Sequence, residues 1–171
     1  MKDFDRHFVE ATAAIGPEYF LLPIVVKDSV FRERVYCYEL YHQLRQRWPV
    51  ALENPWRLSG EVDKRSHQYF RHEGARAPKP DFLVHQPGFH QNFAVMEIKP
   101  PGVKLAGVRK DVATLDRFTR KFGYKRGIML IYGLQPDKAL GQFHKVVGDR
   151  DQGRLELWVH PVQGQVAFRL I

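Results

Sequence analysis

The stretch Phe93–Lys99, FAVMEIK, closed by Pro100-Pro101-Gly102, constrains this chain more than any other. It reads as a strand, because an apolar and β-branched run of this length cut off by Pro-Pro-Gly has few other conformations open to it. Side chains alternate along a strand, so Glu97 and Lys99 share one face while Ile98 turns to the core. Two charges at the end of an otherwise apolar strand need partners or a metal. A strand of this kind also needs layers packed around it, and the flanking sequence supplies them.

Upstream, Cys37, Leu40, Tyr41, Leu44 and Trp48 recur at helical spacing, which predicts a helix over Ser29–Trp48 closed by Pro49. Trp56–Val62 and Asp81–His85 read as strands, and Gln86–Asn92, with Pro87 and Gly88, as the turn before the FAVMEIK strand. Downstream, Val108, Val112, Leu115, Phe118 and Phe122 form one stripe of a helix over Leu105–Phe122 that stops at Gly123. GIMLIY, Gly127–Tyr132, suits a central strand, and Pro136–Val147 an amphipathic helix. Strands at Leu155–His160 and Gln165–Leu170 close the chain around Gly164. The order is helix, three strands, helix, strand, helix, two strands. It predicts an α/β fold, a mixed central β-sheet flanked by helices, in a single domain over 1–171.

Composition narrows the function classes. No apolar run approaches the roughly 20 residues of a membrane-spanning helix, and the N-terminal MKDFDRHFVEATAAIG lacks the continuous apolar stretch of a secretory signal. Cys37 is the one cysteine, which excludes a disulfide framework and thiolate zinc clusters and predicts a small buried thiol. A cytoplasmic location is the expectation. No Walker loop, no H-E-x-x-H and no deaminase signature occurs, so P-loop nucleotide hydrolysis and zinc hydrolysis recede. The 27 Lys and Arg residues outnumber the 19 acids, for a net charge of +8. Lys99–Arg126 alone holds nine bases against Asp111 and Asp116, so a polyanionic partner is expected beside the FAVMEIK strand.

The chemistry lies in KPDFLVH and AVMEIK. Fifteen residues separate Asp81 from Glu97, enough for a turn that sets two neighbouring antiparallel strands side by side and brings the carboxylates together. Two carboxylates and the Ile98 backbone carbonyl form an oxygen donor set for Mg²⁺ or Mn²⁺. Such an ion polarises a phosphoryl oxygen and lowers the pKa of a bound water. Lys99 is placed to orient or deprotonate that water and to offset developing charge. Opposite the apolar stripe of the next helix, Lys110, Arg117 and Lys121 fall at helical spacing with Arg120 beside them, as candidate phosphate contacts.

This pattern, P-D…E-x-K, resembles the PD-(D/E)XK superfamily of restriction enzymes, repair nucleases and junction resolvases, over roughly Ser29–Tyr132. The resemblance implies a restriction endonuclease-like fold in which Asp81 and Glu97 bind divalent metal and Lys99 assists the attacking water. It implies an acid on the first helix joining the site. Glu39 is the match, and Glu61, ending the strand before Asp81, competes for the role. The helix after Lys99 is expected to border the substrate backbone.

The expected activity is metal-dependent hydrolysis of phosphodiesters, with DNA expected ahead of RNA. The alternatives are a binding module of the same fold without catalysis, and a nuclease subunit active only with a partner specificity protein. Cutting both strands of a duplex would favour a homodimer.

Overall fold

The computed structural model describes residues 3–25, 28–49, 54–60, 78–148 and 153–171. Within them run α1 (Phe4–Ala13), α2 (Pro17–Phe20), β1 (Leu22–Val25), β2 (Asp28–Val30), α3 (Glu33–Arg47), β3 (Arg57–Gly60) and β4 (Phe82–Gln86). β5 (Gln91–Lys99), α4 (Leu105–Lys121), β6 (Arg126–Tyr132), α5 (Pro136–Val147), β7 (Leu155–His160) and β8 (Phe168–Arg169) follow. From α3 onward the order is the one expected from the sequence, while α1, α2 and the antiparallel pair β1–β2 are additional. No helix among the described residues is long and apolar enough to cross a membrane.

The two largest departures from the expected boundaries have local reasons. The helix anticipated from Ser29 begins at Glu33, because Ser29 and Val30 pair with Pro23 and Leu22 in the small sheet and Arg32 is extended. The last strand shortens to Phe168–Arg169, because the Gln165 N–H donates to the Val162 carbonyl in a turn.

The main sheet has the order β3-β4-β5-β6-β7-β8 and is mixed. β3, β4 and β5 form an antiparallel meander, β5, β6 and β7 are parallel, and β8 pairs antiparallel with β7. Parallel strands need crossovers, which α4 and α5 provide. The central strands are apolar because both their faces are covered. On one face Met96, Ile98, Ile128, Leu130 and Tyr132 pack with α1 and α3 residues such as Phe8 and Leu40. On the other, Val95, Met129, Ile131 and Val159 pack with α4 and α5 through Leu115, Phe118 and Phe143. Each such side chain stabilises the fold by roughly 1.5–3 kcal/mol.

The amino end of β6 is fixed by Arg126. Its guanidinium grips Glu156 (2.6 and 2.7 Å) and Asp5 (2.6 Å) and lies 5.2 Å from the Phe4 ring centroid. Arg126 therefore clamps α1 to the sheet and is committed to that role rather than to an outside polyanion.

At the opposite end, the carboxyl ends of β6 and β7 meet α3. Tyr36 stacks on Tyr132 with centroids 3.9 Å apart, and its hydroxyl is hydrogen-bonded to His160 Nδ1 at 2.8 Å. Phe20 stands edge-on to His160 at 4.9 Å. Gly133 follows β6 with φ +67°, and its N–H donates to the His160 carbonyl. The Phe31 ring occupies the place a Cβ at 133 would take, so only glycine lets the chain entering α3 seat here.

Burial pushes the His160 imidazole down to about 4, against a smaller opposing pull from the Val162 and Gln165 backbone. The folded state thus disfavours the proton that the unfolded chain accepts near pH 6.5. The stability His160 contributes is complete above about pH 6.5 and is lost as pH falls toward about 4. Urea unfolding should show wild type losing stability relative to His160→Gln across that window, by up to ~3 kcal/mol. Parallel pH profiles for the two proteins would contradict the buried neutral histidine.

Candidate active site

The candidate site stands at the carboxyl end of β5, where an open mixed sheet offers its crevice. Phe82 faces Met96 across the β4–β5 ladder, so continuing the register by one position sets Asp81 opposite Glu97. Just ahead of β4, Asp81 accepts a hydrogen bond from the Ile98 N–H through Oδ2 at 2.7 Å. In an extended strand the N–H and C=O of one residue point the same way, so the Ile98 carbonyl also faces the Asp81 side. Alternation holds as expected: Ile98 joins the α1/α3 core, while Val95, on the parity of Glu97 and Lys99, joins the α4/α5 core.

Lys99 is buried to 8% exposure, and its ammonium is held from two helices. Nζ donates to Glu33 Oε2 at 2.9 Å, and Asp111 Oδ2 lies 3.4 Å away. Burial alone would lower the Lys99 pKa. The hydrogen bond from Lys99 to Glu33 and the charges of Asp111, Glu33 and Asp81 overcome that and hold it above its ordinary value. Lys99 is therefore a firmly protonated cation, suited to stabilising negative charge and unsuited to taking a proton. Of the two roles expected for it, orienting or deprotonating a water, the surroundings favour the first.

The carboxylates behave oppositely. Burial, reinforced by the charges of Asp81 and Asp111, pushes the Glu97 carboxyl up to about 9. Burial pushes Asp81 up to about 6, with the Ile98 N–H and Lys99 pulling the other way. Asp111 is raised as well, again first by burial. Among the described residues no group of three or more His, Cys, Asp or Glu side chains is arranged to hold a metal ion. What exists is a pair of carboxyls beside a backbone oxygen, Glu97 buried and Asp81 half-buried, in which the charge of Asp81 disfavours ionisation of Glu97. A divalent cation relieves that repulsion, so the donor set fits a hard ion through two side chains and a carbonyl. Cys37 is near enough to feel Asp81, Glu33 and Glu97, but burial and those charges raise its pKa, so it stays a thiol and offers no thiolate.

Several expected site residues stand elsewhere. Glu39 accepts a hydrogen bond from Gln43 at 2.7 Å, and Gln43 in turn binds Arg47, which makes Glu39 part of a chain along α3. The helical acid that reaches Lys99 is Glu33, six residues earlier. Six residues at ~100° each leave the two about 120° apart around the helix, so they cannot serve the same side. Glu61 lies outside the described residues. Of the phosphate-contact candidates, exposed Lys110 neighbours Asp111 and lowers its pKa, which places it beside the cluster. Arg117, Arg120 and Lys121 fall on the far half of α4. Lys121 lies about 15 Å along the axis from Asp111. Arg120 pairs with Asp116, and Arg117 lies 5.9 Å from the Phe122 ring centroid.

Two cluster members carry weaker signals in the sequence. Asp111 reads there as a counter-charge within a basic run. Its signal is position: Val108, Asp111, Leu115 and Phe118 share one helical stripe, and all are buried. An acid on an apolar stripe requires a buried cation. Glu33, the first residue of α3, carries no comparable mark.

The sign of the Glu97 effect is testable without substrate. Its folded pKa lies above its ordinary 4.5, so the stability tied to the protonated form is present below about pH 4.5 and lost as pH rises toward about 9. Glu97→Gln should therefore gain stability relative to wild type progressively across that range in thermal unfolding. A constant difference at every pH would mean that Glu97 is not crowded by like charges. No protein-family model, no curated protein and no solved structure matches the chain, so the chemistry of this cluster rests on its own geometry.

Proposed function

We propose that the protein is a metal-dependent nuclease of the PD-(D/E)XK class, hydrolysing phosphodiesters of nucleic acid, with DNA favoured over RNA. The observation that carries this reading is the convergence at the end of β5. The paired carboxyls of Asp81 and Glu97 stand beside a lysine kept protonated by Glu33 and Asp111. The element order from α3 through β6, a helix, an antiparallel meander, a helix and a parallel strand, supports a restriction endonuclease-like fold.

Asp81, Glu97 and the Ile98 carbonyl would hold Mg²⁺ or Mn²⁺, which supplies Lewis acidity toward the phosphoryl group. The remaining work falls to the chain's own residues. Lys99 Nζ presents its charge and N–H groups to the oxygens on which negative charge grows. Glu33 and Asp111 fix that ammonium in place, so little reorganisation is needed during reaction. Lys104, Arg109 and Lys110, all exposed on the first turns of α4 or just before it, flank this end of the sheet and suit the phosphates of an approaching strand.

Removing an acid and removing the lysine should give different results. Asp81→Asn and Glu97→Gln should lower both Mn²⁺ affinity, by calorimetry, and oligonucleotide cleavage. Lys99→Ala should bind Mn²⁺ near normally yet lose at least ~100-fold in turnover. Mn²⁺ affinity should rise with pH between about 6 and about 9, because the carboxyls must surrender protons to bind. Full cleavage by Lys99→Ala would remove the lysine from the mechanism. Absence of cleavage by the unaltered chain with either metal would sink the nuclease reading.

The basic residues separate by position. Charge reversal at Lys104, Arg109 and Lys110 should flatten the salt dependence of binding, by about 0.9 in the log–log slope for each phosphate left unneutralised. Reversal at Lys121 should do less. Equal effects would mean that the whole of α4 lies along the substrate.

A further inference from the structure

Beside the acidic pair lies a cleft of about 450 Å³ between α3 and the β3–β4 edge, lined by Cys37, Tyr38, Tyr41, Gly60, Asp81 and Phe82. Its composition is uneven. Asp81 supplies the one charge among these residues, and three aromatic rings supply much of the wall. Among the described residues it offers a phosphate no cation. A flat, uncharged ring would find apolar faces.

The two tyrosines stand three residues apart on α3, so they share one side of the helix. They differ in their surroundings. Tyr41 is fixed: its ring leans on Phe82 with centroids 6.0 Å apart, and its hydroxyl donates to the Leu58 carbonyl. Tyr38 is 63% exposed, an aromatic face turned to solvent at the rim of the cleft. Gly60 keeps the space open. A Cβ there would stand 3.7 Å from the Tyr41 ring and 3.8 Å from the Asp81 carbonyl, so a side chain at 60 would occupy the cleft without collision.

We propose that this cleft receives an unstacked nucleobase adjoining the phosphate under attack, with Tyr38 as the stacking face, so that the substrate is single-stranded or frayed at that nucleotide. The inference rests on the nuclease reading for the phosphate's position at Asp81. The physical case is direct. Every base has a π-face, stacking on aromatic side chains is tolerant of sequence, and a base held within a duplex cannot enter a lateral cleft without leaving its stack. The volume lies within the range of about 300–1,000 Å³ usual for small-ligand sites, ample for one base.

The test uses the full chain with Ca²⁺ replacing Mg²⁺, and a short single-stranded oligonucleotide carrying 2-aminopurine, compared with the same sequence as a blunt duplex. Binding should quench the 2-aminopurine fluorescence of the single strand. Tyr38→Ala should weaken single-strand affinity by ~5- to 150-fold, the span of one base stack, and leave the duplex little changed. Tyr38→Trp should restore it. Gly60→Val, which fills the cleft and leaves both tyrosines in place, should weaken it likewise. Circular dichroism of each variant separates failure to fold from failure to bind. If Tyr38→Ala and Gly60→Val bind the single strand as tightly as wild type while Mn²⁺-dependent cleavage persists, the base site is overturned and the nuclease stands. If binding depends on Tyr38 but no metal supports cleavage, the base site stands and the nuclease reading falls. A wild-type chain that binds neither oligonucleotide overturns both.

Discussion

The ammonium of Lys99, gripped by Glu33 and Asp111, is the interaction on which the rest of the site depends. Taking an ammonium out of water costs several kcal/mol even after relaxation. A single ion pair at this range returns on the order of 5 kcal/mol at an effective dielectric near 20. The Glu33 share must be discounted, because its carboxylate is 37% exposed. One acid would leave the balance near zero, and two make burial sustainable. That explains why α3 and α4, on different faces of the sheet, each send a carboxylate to the same nitrogen.

The four carboxyls around Lys99 divide into two pairs by what they touch. Glu33 and Asp111 face the ammonium. Asp81 faces the Ile98 N–H, and among the described residues no side chain hydrogen-bonds Glu97. Glu97 is buried beside the charges of Asp81 and Asp111 without such a partner, and its carboxyl is pushed up to about 9. An arrangement optimised for stability alone would not leave such a carboxyl among three others. Local rules broken in this way are expected where a site serves chemistry.

Much of this was legible in the sequence because the relevant patterns are periodic. β5, β6, α4, α5 and β7 follow from apolar runs and stripes, and α5 and β7 keep the expected bounds. Asp81, Glu97 and Lys99 meet because strand alternation and a short turn leave few other outcomes. α1 also carries a signal, Phe4, Phe8 and Ala11 on one face, but a ten-residue helix broken by Asp5, Arg6 and Glu10 marks its face weakly. Choosing Glu33 over Glu39 needed the rotation of α3 about its axis. That rotation is set by Phe31 against Gly133 and by Tyr36 against Tyr132 and His160, partners about a hundred residues apart in the chain. Sequence periodicity fixes which side of a helix is apolar, but not which end of which strand it meets.

That separation has a kinetic meaning. Asp81 with Ile98 and Lys99 with Asp111 are joined within the β4–β5 hairpin and the segment that follows it, whereas residue 33 joins 99 and residue 36 joins 160 across most of the chain. Loop-closure entropy must be met before such pairings return anything, and parallel pairing of β5, β6 and β7 adds to the delay. Local units such as α4, α5 and the β4–β5 hairpin are free to form early on the folding path, whereas Glu33 reaches Lys99 only once α3 has packed on the sheet. A nascent or partly unfolded chain therefore carries the basic surface of α4 before the Lys99 ammonium has its grip from α3.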